Sequence, residues 1–271
     1  AKNVAVLDGA VIMSILTARS SSFTINIFHS NFMGNSAGHD SGAINLKGHV
    51  VAMITECIFH ANSVGNSGGV VSTQRGSRFI TIRCLFTYNS ANDSAGSLDF
   101  ASTEFVMICN SSFYASASAF TGGSIRAIGV SIINLYNVQF TLNTNYKIGG
   151  ILSFIYVGTM IMNKIYVNDE LKISPTGAKN LISLEVKKLF LSEVSIFNSK
   201  TNIDLIDIQT NSVQTFTKLG IQCSKYTLAK ERYNFDQLRL CSGRKQCQVS
   251  KLVFTCDGCA ESYYTLNSGI S

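Results

Sequence analysis

Asp93 and Asp99, with Asp40 upstream and Arg75, Arg78 and Arg83 between, are residue types able to cleave a polysaccharide. Glycoside hydrolysis needs two carboxyl groups at one bond, one to protonate the leaving oxygen and one to act as base or nucleophile. Elimination needs clustered acids beside an Arg or Lys base. The spacing argues against both. Asp40 and Asp93 fall in Gly/Ser/Asn-rich stretches, where Asp commonly serves turn geometry.

The other reactive side chains are no better grouped. His29, His39, His49 and His60 have no carboxylates clustered beside them in the sequence, so a metal or general-base role has little support and solvent or turn positions are expected. The chain contains no Walker loop and no H-E-x-x-H string. Cys57, Cys84 and Cys109 are isolated and read as buried thiols, although a Cys57–Cys84 bridge is open. Cys223, Cys241, Cys247, Cys256 and Cys259 crowd the last fifty residues or so. Zinc held by Cys241, Cys247, Cys256 and Cys259 is one reading, with C-x5-C-x8-C-x2-C spacing irregular for a finger or ribbon. Disulfides in an oxidising compartment are the other. No metal or cofactor is expected.

What must position these residues is a repeat. Phe32, Phe59, Phe86, Phe113 and Phe140 recur every 27 residues without a slip. Three residues after each come Asn35, Asn62, Asn89, Ser116 and Asn143. Gly42, Gly69, Gly96, Gly123 and Gly150 keep the same interval. A fixed period of this size means a repeat architecture. Alternation before each Phe indicates strands: "ITIRCLF" is read with Ile80, Ile82, Cys84 and Phe86 on one face, and "FVMICNSSF" with Phe105, Met107, Cys109, Ser111 and Phe113. With no room for a crossover helix, such strands stack as a parallel solenoid, one coil per repeat. Phe should then stack on Phe, Asn should bond the backbone of the next coil, and Gly should take angles that a Cβ forbids. In this register Ser72 and Asn45 match Asp99, so no acidic column is expected.

Paired "FMGN", "FHAN", "FTYN" and "FTLN" with "SGAI", "GGVV", "AGSL", "GGSI" and "GGIL" resemble the FxxN and GGA[ILV] motifs of polymorphic outer-membrane protein passenger domains. The resemblance covers residues 23–155, departs at "FYAS", and implies an all-β, right-handed parallel β-helix of the pectate-lyase-like class. Beyond Ile155 the period frays, "KNLISLEV" and "TNIDLIDI" being read as variant copies and "EVSIFNS" around Phe197 as an altered Phe strand. About eight coils are expected, to about Leu219, with Pro175 in a turn. The domains are therefore 1–219, β-helix, and 220–271, a cysteine-rich segment. "CDGCAESYYTLNSG" resembles the start of growth-factor-receptor-like or ephrin-receptor-like cysteine-rich modules, as in large surface proteins of single-celled eukaryotes, and the odd cysteine count fits a truncated copy.

Composition bounds the function. Charged residues are only 14 % of the chain and the net charge is +6 without a dense basic run, which speaks against nucleic acid as a partner. The 16 residues between Lys147 and Lys164 are apolar but short, β-branched and glycine-broken, and read as a buried strand rather than a membrane span. The absence of an initiator Met and a leader suggests a processed chain or an internal piece, with any membrane anchor in a parent protein. Asn92 ("NDS") and Asn110 ("NSS") are N-glycosylation candidates that agree with secretion. The expected function is a non-enzymatic extracellular or cell-surface scaffold of the adhesin type. It would display the turns at His39 and Asp40, Asn66, Asn92 and Asp93, and Tyr146 and Lys147 to a protein or glycan. A polysaccharide lyase or glycoside hydrolase on the same fold is the alternative.

Overall fold

A computed structural model describes residues 3–5, 11–15, 23–145, 150–169, 180–198, 204–223, 228–232, 250–257 and 264–266. They form an all-β parallel solenoid of about six turns, with no helix among the described residues. One coil runs Val71–Gln74, Arg78–Ile82 and Leu85–Thr87, then the two-residue strand Ser90–Ala91. The first three belong to one large sheet and the last to a narrow sheet of its own.

Register is fixed by the period. The first strand of each coil stacks Ile12, Ile44, Val71, Leu98, Ile125, Leu152, Ile182 and Ile206 in parallel. The interval is 27 residues from Ile44 to Leu152, then 30 to Ile182 and 24 to Ile206. Eight first strands thus share one column, of which the described residues close about six turns. Pro175 lies outside the described residues. From Leu152 onward the apolar stretch before Lys164 is part of the strand Leu152–Asp169, and no helix among the described residues is long and apolar enough to cross a membrane.

The core is built of stacked copies of the same residue. Rings of Phe32, Phe59, Phe86, Phe113 and Phe140 lie 4.6–5.0 Å apart, within 14° of parallel. Val167 and then Ile196, rather than Phe197, continue the column. Beside it the Asn side chains form a buried ladder: Asn62 Oδ1 accepts from Asn35 N at 3.1 Å, and Asn62 Nδ2 donates to the Phe32 carbonyl at 3.0 Å. The glycine column has a different cause from the one expected. Gly42, Gly69, Gly96 and Gly123 are absent from the positive-φ positions. A Cβ at any of them would instead come within 2.1–2.6 Å of a neighbouring coil's backbone oxygen. Close approach, not backbone angle, excludes a side chain there.

The strand faces also need correction. Phe79, Thr81, Cys84 and Phe86 are the buried set, while Ile80 and Ile82 point outward. Likewise Val106 and Ile108 face in with Ser111 and Phe113, and Phe105, Met107 and Cys109 face out. Between the two strands of each coil one residue adopts a left-handed backbone: Glu56, Arg83, Asn110, Asn137, Lys164 and Glu193, with φ of 48–54°. That residue puts two consecutive side chains on the outer surface, so strict alternation reverses phase at the corner.

At the C-terminal side, Ser250–Asp257 and Tyr264–Leu266 pair antiparallel with Asp204–Cys223, the last parallel strand. An exposed sheet edge invites pairing with another chain, and these strands occupy it.

Candidate functional site

The densest polar group lies where the turn after the Asn ladder folds back over the first strand of the next coil. The column Asn45, Ser72, Asp99, Arg126 and Ser153 points away from the apolar core. Asn45, Ser72, Asp99 and Ser153 are nonetheless buried, because the turns close over them. Gly68, at φ 72°, packs so near that an added Cβ would stand 3.2 Å from the Cβ atoms of both Ser72 and Asp99.

Within this seam Arg126 forks onto Asp99. Nε donates to Oδ1 at 2.7 Å and Nη2 to Oδ2 at 2.8 Å. Arg126 Nη2 also reaches Ser67 Oγ at 3.4 Å, and Ser67 Oγ donates to Asp93 Oδ2 at 3.3 Å. Asp40 accepts from Asn66 Nδ2 at 3.4 Å and stands 3.8 Å from Lys47 Nζ. Burial pushes the Asp99 carboxyl up, Arg126 pulls it down, and the charges of Asp40 and Asp93 add to the rise. For Arg126, burial works against the charge, but the bonds and charge of Asp99 raise its pKa on balance. The structure thus draws Asp40, Asp93 and Asp99 into electrostatic contact and adds Arg126, which sequence reasoning missed. The signal was present, since Arg126 stands one 27-residue period after Asp99.

The other candidates scatter. Arg78 pairs with Glu104 at 2.6 Å, and Arg83 with Glu56, Nε donating at 2.7 Å. Glu56 also meets His29 Nδ1 at 2.9 Å, so that histidine has a carboxylate partner after all. Arg75 is exposed at a bend with φ 61°. His60 Nδ1 lies 2.8 Å from Thr87 Oγ1. Of two G-x-S-x-G strings, 34–38 spans a two-residue strand and 65–69 falls on a turn. A nucleophile elbow needs a strand-to-helix turn. Here Ser36 lies in the short strand Ser36–Ala37 and Ser67 is buried beside Asp93. Among the described residues no three His, Cys, Asp or Glu side chains are placed to hold a metal ion.

Cys57 and Cys84 are free, buried and one coil apart, Cys57 N donating to Cys84 Sγ at 3.4 Å. Cys109 is free but faces outward, half-buried, rather than inward as expected. Cys241, Cys247 and Cys259 lie outside the described residues; the backbones of Cys223 and Cys256 fall in the strands Asp204–Cys223 and Ser250–Asp257. Asn92 and Asn110 are both exposed.

The turn tips themselves form a column. Asn66 N donates to the His39 carbonyl at 3.0 Å, Asp93 N to Asn66 at 3.0 Å, and Phe120 N to Asp93 at 2.8 Å. His39, Asn66 and Phe120 are exposed and Asp93 is half-buried. Tyr146 and Lys147 lie outside the described residues.

These features define a parallel β-solenoid. No family model, no curated protein and no solved structure matches the chain.

Proposed function

We propose that this chain is a non-enzymatic scaffold module of an extracellular or cell-surface protein, presenting its turn column to a protein or glycan. The observation that supports this reading is the backbone-bonded column of His39, Asn66, Asp93 and Phe120. It holds four different side chains at one coil's spacing on a rigid frame. Extended solenoid faces suit such contacts. The motif resemblance to polymorphic outer-membrane protein passengers, the exposed sequons at Asn92 and Asn110, and the cysteine-rich tail support the extracellular setting.

A carbohydrate-active enzyme is the second reading, favoured by the approach of Asp40 and Asp93 to Asp99 and Arg126. Against it, the Asp99 side chain is only 6 % exposed and both its oxygens are held by Arg126. The test is a glycan array and a cell-binding assay on the full chain secreted from a eukaryotic host. The scaffold reading expects binding that is lost when His39, Asn66 and Asp93 are replaced by Ala, with no oligosaccharide cleavage detected by mass spectrometry. Cleavage that is lost in Asp93→Asn would replace it with the enzyme reading.

A further inference from the structure

Behind the left-handed corner runs a second ladder, made of hydroxyls and thiols instead of amides. Ser30, Cys57, Cys84 and Ser111 stand 27 residues apart, and each directly follows a left-handed corner residue: His29, Glu56, Arg83 and Asn110. The backbone N–H of one coil donates to the side chain of the next. Ser30 N donates to Cys57 Sγ and Cys57 N to Cys84 Sγ, both at 3.4 Å, and Cys84 N to Ser111 Oγ at 3.1 Å. Each thiol in turn donates to the carbonyl two residues back, Cys57 Sγ to Thr55 at 3.3 Å and Cys84 Sγ to Ile82 at 3.4 Å. The sulfur of Cys84 therefore leans toward the coil of Cys57, and that of Cys57 toward the coil of Ser30.

We propose that Cys57 and Cys84 are a redox pair that closes a disulfide between adjacent coils, with a small-molecule disulfide such as glutathione disulfide as the oxidant. The backbones are already in register: Leu85 N donates to the Cys57 carbonyl at 3.0 Å, and Ile58 pairs with Leu85. Neighbouring strands stand about 4.8 Å apart, inside the roughly 4.4–6.8 Å that separates bridged Cα atoms. Only one side chain has to turn. Cys84 Sγ already leans toward Cys57, so Cys57 swings up to meet it and gives up the N–H of Ser30. Ser30 is half-buried, so water can accept from that N–H. Bridged Cβ atoms lie about 3.5–4.5 Å apart, slightly less than the rung spacing, so the bond carries strain. Strained disulfides are the readily reduced ones, which makes the bridge reversible. In the exchange, the first thiolate uncovered attacks one sulfur of glutathione disulfide and releases one glutathione. The second attacks the protein sulfur of that mixed disulfide and releases the other. Two cysteine thiols are oxidised, one glutathione disulfide becomes two glutathione thiols, and these take both protons. Both cysteines are buried, so the exchange waits for the coils to part. Its product ties the coil of Phe59 to the coil of Phe86, wherever the chain works.

The test uses the full chain with Cys109→Ser, which removes the outward thiol of the next strand. The reduced protein is held with excess glutathione disulfide, its remaining thiols are blocked with N-ethylmaleimide, and it is cut with trypsin without reduction. Trypsin cuts at Arg75, Arg78 and Arg83, between the two cysteines. The expected product is peptide 48–75 joined to peptide 84–126, lighter by two hydrogen atoms than the separate pair and parted by dithiothreitol. It should form in the folded protein, and faster in urea below the unfolding midpoint. The wild-type chain, cut also with chymotrypsin between Cys84 and Cys109, gives the same reading without a variant. Glutathione adducts on Cys57 or Cys84 with no bridge, two unmodified thiols, a bridge from either to a tail cysteine instead, or a bridge that forms only above the unfolding midpoint each overturn the proposal.

Discussion

Asp99 and Arg126 face one another across adjacent coils in a two-pronged ion pair, the carboxylate side chain 6 % exposed and the guanidinium 19 %. The pair is sealed by turns that carry Asp40 and Asp93, so its removal is felt in stability before anything else. Arg126→Met strands a buried carboxylate and should cost about 3–5 kcal/mol, whereas Arg126→Met with Asp99→Leu removes both charges and should recover most of that loss. Urea unfolding of the two variants checks the order.

The same pair predicts a pH dependence. Burial raises the Asp99 carboxyl above its ordinary value of 3.8, outweighing the pull of Arg126. The folded protein therefore holds this proton more tightly than the unfolded chain. The resulting stability is complete below pH 3.8 and is lost as pH rises through the raised, folded value. Asp99→Asn abolishes the titration while keeping an acceptor for Arg126. The urea midpoint of the wild type, relative to that variant, should fall as pH rises above about 3.8. A rise there would mean that Arg126, not burial, governs Asp99.

The asparagine ladder gives a third expectation. Asn62 supplies the acceptor for Asn35 N and Nδ2 and the donor for the Phe32 carbonyl, all in the interior. Asn62→Ala leaves buried backbone groups unpaired, each costing about 1–3 kcal/mol. Asn62→Ser should lose the same bonds, since at Ser116, which holds this place in the fourth copy, the hydroxyl meets Ser97 Oγ at 2.7 Å instead of reaching the preceding coil as the asparagines do. Thermal unfolding should place both variants well below the wild type; an unchanged midpoint in either would deny the ladder its role.

The period made the stacking legible in advance. Positions that repeat without an indel must suit their own copies, so Phe32 through Phe140 and the Asn ladder were readable from spacing alone. The phase of the strands was not. The reversal turns on one left-handed residue per coil, and that position holds Glu56, Arg83, Asn110, Asn137 and Lys164. His29 at the same place and the two asparagines are types that favour such angles, but charged residues hold the other copies, so composition marks the column only in part. The charged seam failed for another reason. Ser72 and Asn45 stand on one side of Asp99, while its partner Arg126 lies on the other. Asp40 and Asp93 reach it through turns whose path depends on tertiary packing, which local spacing does not encode.

The glycine column supplies the fourth prediction. At Gly96 a new Cβ would stand 2.3 Å from the Gly123 carbonyl oxygen and 2.5–2.6 Å from backbone atoms of Ala117. All are backbone atoms held in the coil ladder, and none can swing aside as a side chain would. Gly96→Ala therefore has to separate coils at the middle of the stack, and unfolding should become broad or lose its cooperativity, with a loss exceeding the roughly 1–3 kcal/mol of ordinary overpacking. Gly129→Ala is the control. It sits at φ 66° but its nearest neighbour atom would be 3.7 Å away, so the cost is backbone strain alone. Circular dichroism melts that place Gly96→Ala below Gly129→Ala would show that coil contact excludes the side chain. The reverse order would return the column to backbone angle.

Thiol reactivity closes the set, because the three cysteines that are free among the described residues differ in exposure while sharing a scaffold. Cys57 is 1 % exposed, Cys84 3 %, and Cys109 half-buried on the outer face. Burial raises the Cys57 thiol, with the neighbouring Cys84 adding to the rise after the opposing Ser30 bond, and burial alone raises Cys109. Thiolate, the reactive form, is therefore scarce at Cys57 and Cys109 at neutral pH, and access decides the order of labelling. In the native protein N-ethylmaleimide should modify Cys109 first. Cys57 and Cys84 should react only as fast as the coils open, together and with a rate that urea accelerates. Peptide mapping over a time course reads this. Prompt labelling of Cys84 ahead of Cys109 would place Cys84 on the surface and contradict the face assignment of both strands.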